Sequence, residues 1–320
     1  MLTNEKTGLL AAGTRIAGRN KRYVIWFYLL NLALALCGAA AFGEQAHAIL
    51  DHSLYSDRLL HGFDLMAFSE LLDRPEFGST TGVTVPALCF AGLFFLATML
   101  LMPGVLLGYA SGHRLPRAEF YRTCGQNIWR SIRLFLFFVM IAGPTSGLLG
   151  IARYFMVKAA GESSNERLPF FVKLTCMAVI FLILTAIRIW LDLAQTQVVV
   201  GDQGRVRKSI AAAYRGMKGY RMRLLGSYLL IALLAGVVLF LGIWVWIKIV
   251  PPASVLGAFM VGQIILLILL AARFWQRACA VAFYCDYMTA IIVERETIPV
   301  ASLPVIPLPD EGGPALLPQT

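Results

Sequence analysis

Arg188 and Asp192 stand four residues apart, so on a helix they share one face and can pair across a single turn. Gln195 follows three residues later, and Gln263, Arg273, Gln276, Arg277 and Asp286 punctuate a second apolar run. Ionisable groups within apolar spans usually face a bundle interior, pair with one another, and often mark ligand or ion pathways. Two chemistries suit these residues. One is a structural charge cluster that fixes helix register; the other is a site for a polar ligand or lipid headgroup, which long arginines near a span end can reach. A second set, His47, Asp51, His52, Asp57, His61 and Asp64, invites a metal reading because His47/Asp51 and Asp57/His61 are each one turn apart. Zinc needs three or four convergent ligands, and no such spacing is present, so this stretch reads as a solvated acidic loop. The chain carries no P-loop, no Gly-x-Ser-x-Gly elbow, no His-Glu-x-x-His and no Cys-x-x-Cys. No catalytic residue, metal or cofactor is expected.

The elements that hold these residues are set by composition. Hydrophobic residues make up 58% of the 320 and charged residues 14%, against roughly 45–50% and 25% in soluble domains, and mean hydropathy is +0.72. A chain of this size has too little interior to hide so much apolar side chain, so the class is an all-α membrane protein. Apolar runs near 23–42, 83–110, 134–156, 169–192, 224–249 and 254–275 give about six transmembrane helices. The first is long enough to be a retained span despite its signal-like basic flank. Residues 1–22 form a basic N-terminal segment, 23–294 one polytopic domain, and 297–320 a Pro-rich tail expected to be extended or disordered. Continued apolarity over 278–293 allows a helix extension, an interfacial helix or a seventh span.

The net charge of +10 falls in blocks beside the spans, which suits anionic lipid headgroups and gives no reason to expect nucleic acid. Basic residues fill the N-terminus (Lys6, Arg15, Arg19, Lys21, Arg22), loop 111–133 and loop 201–223, whereas loop 43–82 has seven acidic residues against Arg58 and Arg74. The positive-inside rule therefore places both termini in the cytoplasm of an inner-membrane protein. Loop 43–82 is expected to hold short amphipathic helices on the outer side. Cys37, Cys89, Cys124, Cys176, Cys279 and Cys285 all lie in or beside apolar runs, so buried, unpaired thiols are expected rather than a disulfide framework. Gly143-Pro144-Thr145-Ser146-Gly147 in the third span predicts a kink.

Residues 119–136 and 209–226 align without a gap at an offset of 90, each leading into a span, and the segment before the first span is a weaker third copy. The chain thus reads as three hairpins, each entered through a basic segment. In the last copy Ile210, Ala213, Tyr214, Met217 and Leu224 make an apolar face, with Lys208, Arg215 and Lys218 opposite. That is the pattern of a helix lying in the membrane interface, with Arg205, Arg207, Lys208, Arg215, Lys218 and Arg223 available to headgroups.

Trp190-Leu191-Asp192-Leu193-Ala194 leading to Gly201-Asp202, with a basic helix after it, resembles a group of uncharacterised bacterial multispan membrane proteins. So do Asp57-Arg58-Leu59-Leu60 to Gly62-Phe63-Asp64, Glu119-Phe120-Tyr121 to Cys124-Gly125, and Gly262-Gln263 through Arg273. The layout is more distantly similar to the membrane domain attached to some glycerophosphodiester phosphodiesterases, whose catalytic domain is absent here. The multispan family has no assigned activity, so the resemblance implies topology and leaves function open. The expectation is a non-catalytic scaffold, accessory subunit or lipid-interacting protein, whose partners are anionic lipids and other membrane subunits. The competing expectation is a transporter or channel with a polar path near Arg188, Asp192, Gln263 and Arg273.

Overall fold

A computed structural model of the protein describes residues 8–50, 80–161, 167–201, 206–217, 219–251 and 254–297. Eight helices are seen among them: α1 (Leu9–Arg19), α2 (Lys21–Leu50), α3 (Thr80–Ala110), α4 (Arg117–Gly161), α5 (Leu168–Val200), α6 (Val206–Met217), α7 (Arg221–Lys248) and α8 (Val255–Thr297). No strand occurs among the described residues. Six of the helices, all but α1 and α6, are long and apolar enough to cross a membrane. Of the expected loop 43–82, residues 43–50 instead continue α2 and 80–82 open α3, because the helices run past the apolar cores of their spans; residues 51–79, the tail after Thr297, Arg205 and Lys218 lie outside the described residues.

The spans pair as three hairpins, α2/α3, α4/α5 and α7/α8, and the second helix of each is central. Helices α3, α5 and α8 each touch the other two, while α2, α4 and α7 wedge between neighbours on the outside. The basic segments follow the same cycle. Helix α1 packs on α8, the first turns of α4 on α3, and α6 on α5. One spacing recurs in all three: Leu9, Ile16 and Tyr23; Phe120, Asn127 and Leu134; Ile210, Met217 and Leu224 are buried at intervals of seven. Seven residues are two helical turns, which keeps Leu9 and Ile16, Phe120 through Leu134, and Ile210 and Met217 each on one stripe, with Tyr23 and Leu224 buried just past the helix breaks before α2 and α7. The repeat read from residues 119–136 and 209–226 is therefore present as shared packing, and the N-terminal copy joins it.

Small residues permit the close approaches. A Cβ on Gly104 would meet the Phe120 ring at 2.6 Å and Cys124 Sγ at 2.8 Å, and one on Gly13 would collide with Cys279. Tyr23 is fully buried where the hairpins meet, stacked on Phe120 with centroids 5.6 Å apart and edge-on to Tyr109. Arg22 ties this junction down by donating to the Leu115 carbonyl at 3.1 Å. The chain turns from α3 to α4 through Gly112, whose φ of +72° is a left-handed conformation that favours glycine.

Burial is concentrated at the basic end. Beyond it, over 28–40, 85–101, 135–161, 167–184, 232–248 and 255–273, Ala160 and Cys176 are the buried residues among those whose side chains are described. Partners within a hairpin still touch there, as in Gly38 with Phe90 and Gly242 with Ile265. The hairpins themselves stand apart, and an apolar groove of about 450 Å³ opens between α5 and α7 beside Phe181, Gly236 and Phe240.

Helix α8 settles the continuation after residue 278: it is an extension of the sixth span, about 64 Å long at 1.5 Å per residue. Helix α4 runs unbroken through Pro144. The basic segment 209–226 is not one helix, since α6 ends at Met217 and α7 starts at Arg221. None of the six cysteines forms a disulfide among the described residues; Cys124, Cys176 and Cys279 are buried, but Cys37 and Cys89 are exposed on apolar helix faces. That corrects the expectation of uniformly buried thiols, because the hairpins are packed tightly only at one end. Cys279 lies under α1, with its Sγ 3.8 Å from the Leu9 carbonyl. Deleting residues 1–19 is expected to make Cys279 react with a small maleimide in the solubilised protein while the full chain stays unmodified there, read by peptide mass spectrometry.

Candidate functional site

The charged residues of the fourth and sixth spans come together where α5, α7 and α8 meet. Asp192, 4% exposed, is the focus. Its Oδ2 accepts a hydrogen bond from the Tyr228 hydroxyl at 2.9 Å, and the Arg188 and Arg277 Nε atoms lie 4.0 and 3.9 Å from its two oxygens. Gln276 donates to the Tyr228 carbonyl at 3.2 Å, so α8 fixes the helix that carries the tyrosine. The short contact is the tyrosine's. Both arginine contacts are long, and Arg188 is one-third exposed, so its share is screened. Buried charge is tolerated where partners replace water; here the Tyr228 hydroxyl donates the hydrogen bond, the two guanidiniums stand at ion-pair distance, and the buried Arg277 Nε has no hydrogen-bond partner among the described residues.

Local sequence explains the meeting. Arg188-Ile189-Trp190-Leu191-Asp192 on α5 and Arg273-Phe274-Trp275-Gln276-Arg277 on α8 have the same Arg-x-Trp-x-charge pattern. Trp190 Nε1 donates to the Ile210 carbonyl of α6 at 3.1 Å, and Trp275 Nε1 to the Leu10 carbonyl of α1 at 3.4 Å. Each indole anchors a basic segment to its inner helix, which sets the residue two positions later at matching height. In one copy that residue is an acid and in the other a base. Two equivalent positions of opposite charge make an ion pair at the centre of a cyclic arrangement.

The other residues of the expected cluster are elsewhere. Arg273 is exposed one turn before Arg277, near enough to Arg188 for the two cations to repel. Gln263 is ten residues before Arg273 on α8, about 15 Å away, and its Oε1 accepts from Tyr28 of α2 at 3.1 Å. Asp286 is exposed and lies near Arg223 at the start of α7. Gln195 is half-buried on α5. The sequence reading thus grouped as one site what the structure separates into an ion-pair layer, a polar contact in the apolar region, and a surface acid–base pair.

Sequence reading missed Tyr228. It lies in an apolar run with no charge beside it, and its only signal is a phenol among aliphatic residues. Trp190 and Trp275 were also missed as a pair, although their common pattern was visible.

Of the expected headgroup contacts, Arg207, Lys208, Arg215 and Arg223 are exposed. Tyr214 departs from the apolar face on which it was placed: it is 48% exposed, edge-on to Trp190, and covered by Arg221 at 5.1 Å. Among the described residues no group of three or more His, Cys, Asp or Glu could hold a metal. No family model, curated protein or solved structure matches the chain.

Proposed function

We propose that the chain is a non-catalytic, lipid-interacting protein of a bacterial inner membrane, with both termini cytoplasmic, acting as a scaffold or accessory subunit. One observation carries the reading. Three basic segments form a collar at one end of the bundle, and the apolar faces beyond it are left uncovered between hairpins. A basic collar suits an anionic leaflet, and uncovered apolar faces suit lipid tails or the spans of another membrane protein. The central charges support the same reading because Asp192 is engaged by Tyr228, Arg188 and Arg277.

The test is reconstitution of the full chain in phosphatidylglycerol–phosphatidylcholine vesicles, followed by lipid mass spectrometry and floatation. Preferential retention of anionic lipid with no change in lipid chemistry is expected. Conversion of a lipid, abolished by Asp192→Asn, would overturn the proposal. Reporter fusions after residue 297 and within 162–166 should report opposite sides, with the first cytoplasmic. In a transporter, water would reach Arg188, Asp192 and Gln263; the pairing of Gln263 with Tyr28 and the burial of Asp192 argue against a common path. Single cysteines at 192 and 263 are expected to resist a water-soluble maleimide in vesicles, whereas one at the one-third exposed position 188 is expected to react, and labelling at 192 and 263 as well would favour transport.

A further inference from the structure

At the junction of α4, α5 and α6, next to the ion-pair layer, is a groove of about 580 Å³. One face of α6 forms its rim, because residues 207, 210, 211, 214 and 215 share a side at helical spacing. Arg207 and Arg215 are the cations of that face, and Trp190 and Phe137 make the opposite apolar wall. The groove does not end there. A shallow apolar seam of about 20 Å³ continues between α4 and α5 past Phe138, Ile141 and Ile187, sharing Phe137, Trp190 and Ile210 with it. Charge at the basic end and an apolar seam running away from it have the polarity of a phospholipid in the adjoining leaflet.

We infer that this groove is a binding site for one anionic glycerophospholipid, with its phosphate on Arg207 and Arg215 and an acyl chain leaving against the Trp190/Phe137 wall and over the outer surface of the α4/α5 seam. The inference rests on the lipid-interacting reading and gives it a location. It also explains a departure from the cyclic pattern. At the positions matching Arg207 and Arg215, the α4 copy has Arg117 and Gly125, and the N-terminal copy has Lys6 and Thr14. Only α6 has arginine at both. It explains Tyr214 as well, since a phenol edge-on to Trp190 extends the wall at the depth where headgroup meets tail, a position that aromatic residues favour.

The experiment uses full-length protein purified in mild detergent with phosphatidylglycerol and phosphatidylcholine supplied together, and native mass spectrometry to count retained lipids. The wild-type chain should keep one phosphatidylglycerol in preference to phosphatidylcholine. R207Q/R215Q should lower that retention on the order of thirtyfold, since each cation near an anionic lipid is worth a factor of about five. Ala211→Trp, which fills the groove and keeps both charges, should also lose the lipid. R117Q/R122Q removes the same charge from α4 and should leave retention within about twofold. Equal loss in R117Q/R122Q and R207Q/R215Q would overturn the site in favour of diffuse surface charge, as would retention that survives Ala211→Trp. Displacement by glycerol phosphate or inorganic phosphate would overturn it in favour of a soluble phosphate ligand. Absence of any anionic preference in the wild type would defeat the proposed function as well, whereas preference that persists in R207Q/R215Q would defeat only the site.

Discussion

Asp192→Leu is expected to destabilise the solubilised protein by about 3–5 kcal/mol, the cost of leaving a buried ion-pair partner uncompensated. Arg277 would keep its charge beside the Tyr228 hydroxyl with no anion to face. The double variant Asp192→Leu/Arg277→Met should recover most of the loss, because two apolar side chains can fill the space with no charge to desolvate. Tyr228→Phe should fall between, at about 1.5–3 kcal/mol, the range for a hydrogen bond to a charged group. Thermal unfolding followed by size-exclusion fluorescence would rank the three. If the double variant were no more stable than Asp192→Leu, the pair would be doing something beyond mutual neutralisation.

Gly104→Leu should have an effect of similar size by a different route. The glycine is buried in α3 against Phe120 and Cys124, which leave no space for a β-carbon. A leucine must push the first turns of α4 off α3, and overpacking of this kind costs on the order of 3 kcal/mol. A β-carbon added at Gly143 in α4 would have nothing within 4 Å of it. Gly143→Ala should therefore stabilise by about 0.5–1 kcal/mol through helix propensity alone, while Gly104→Ala should destabilise. Opposite signs for one chemical change at two helical glycines would confirm that α4 is seated tightly near the basic end and free of close neighbours at Gly143.

Hydropathy made the helical class and six apolar segments legible, because a run of about 20 apolar residues has few alternatives. The cyclic order was not legible in that way. Periodicity shows that Leu9, Phe120 and Ile210 face something, and it does not name what they face; contact between α1 and α8 joins residues more than 250 positions apart. The ion pair was half visible. Arg188 and Asp192 are one turn apart on a single helix, so local spacing revealed them. Arg277 was placed in the same region together with Gln263 and Asp286, which the pitch of α8 distributes over more than about 30 Å. Charge alone gave no reason to separate them. Tyr228 was invisible because only its partner on another helix gives its hydroxyl a role.

The closure of α1 onto α8 also fixes an order of events during synthesis. Leu10 is made early, but the indole that binds its carbonyl belongs to Trp275. At roughly 5–20 residues per second, about 13 to 53 seconds pass before the partner exists. Over that interval Leu9 and Ile16 lack the α8 surface on which they finally pack, and the membrane interface is an apolar place open to them. A nascent chain interrupted before α8 would present that unsatisfied face, together with a Tyr228 carbonyl lacking its Gln276 donor. Helix α1 can be seated only after α8 has been made, so its seating reports that the ribosome has delivered α8.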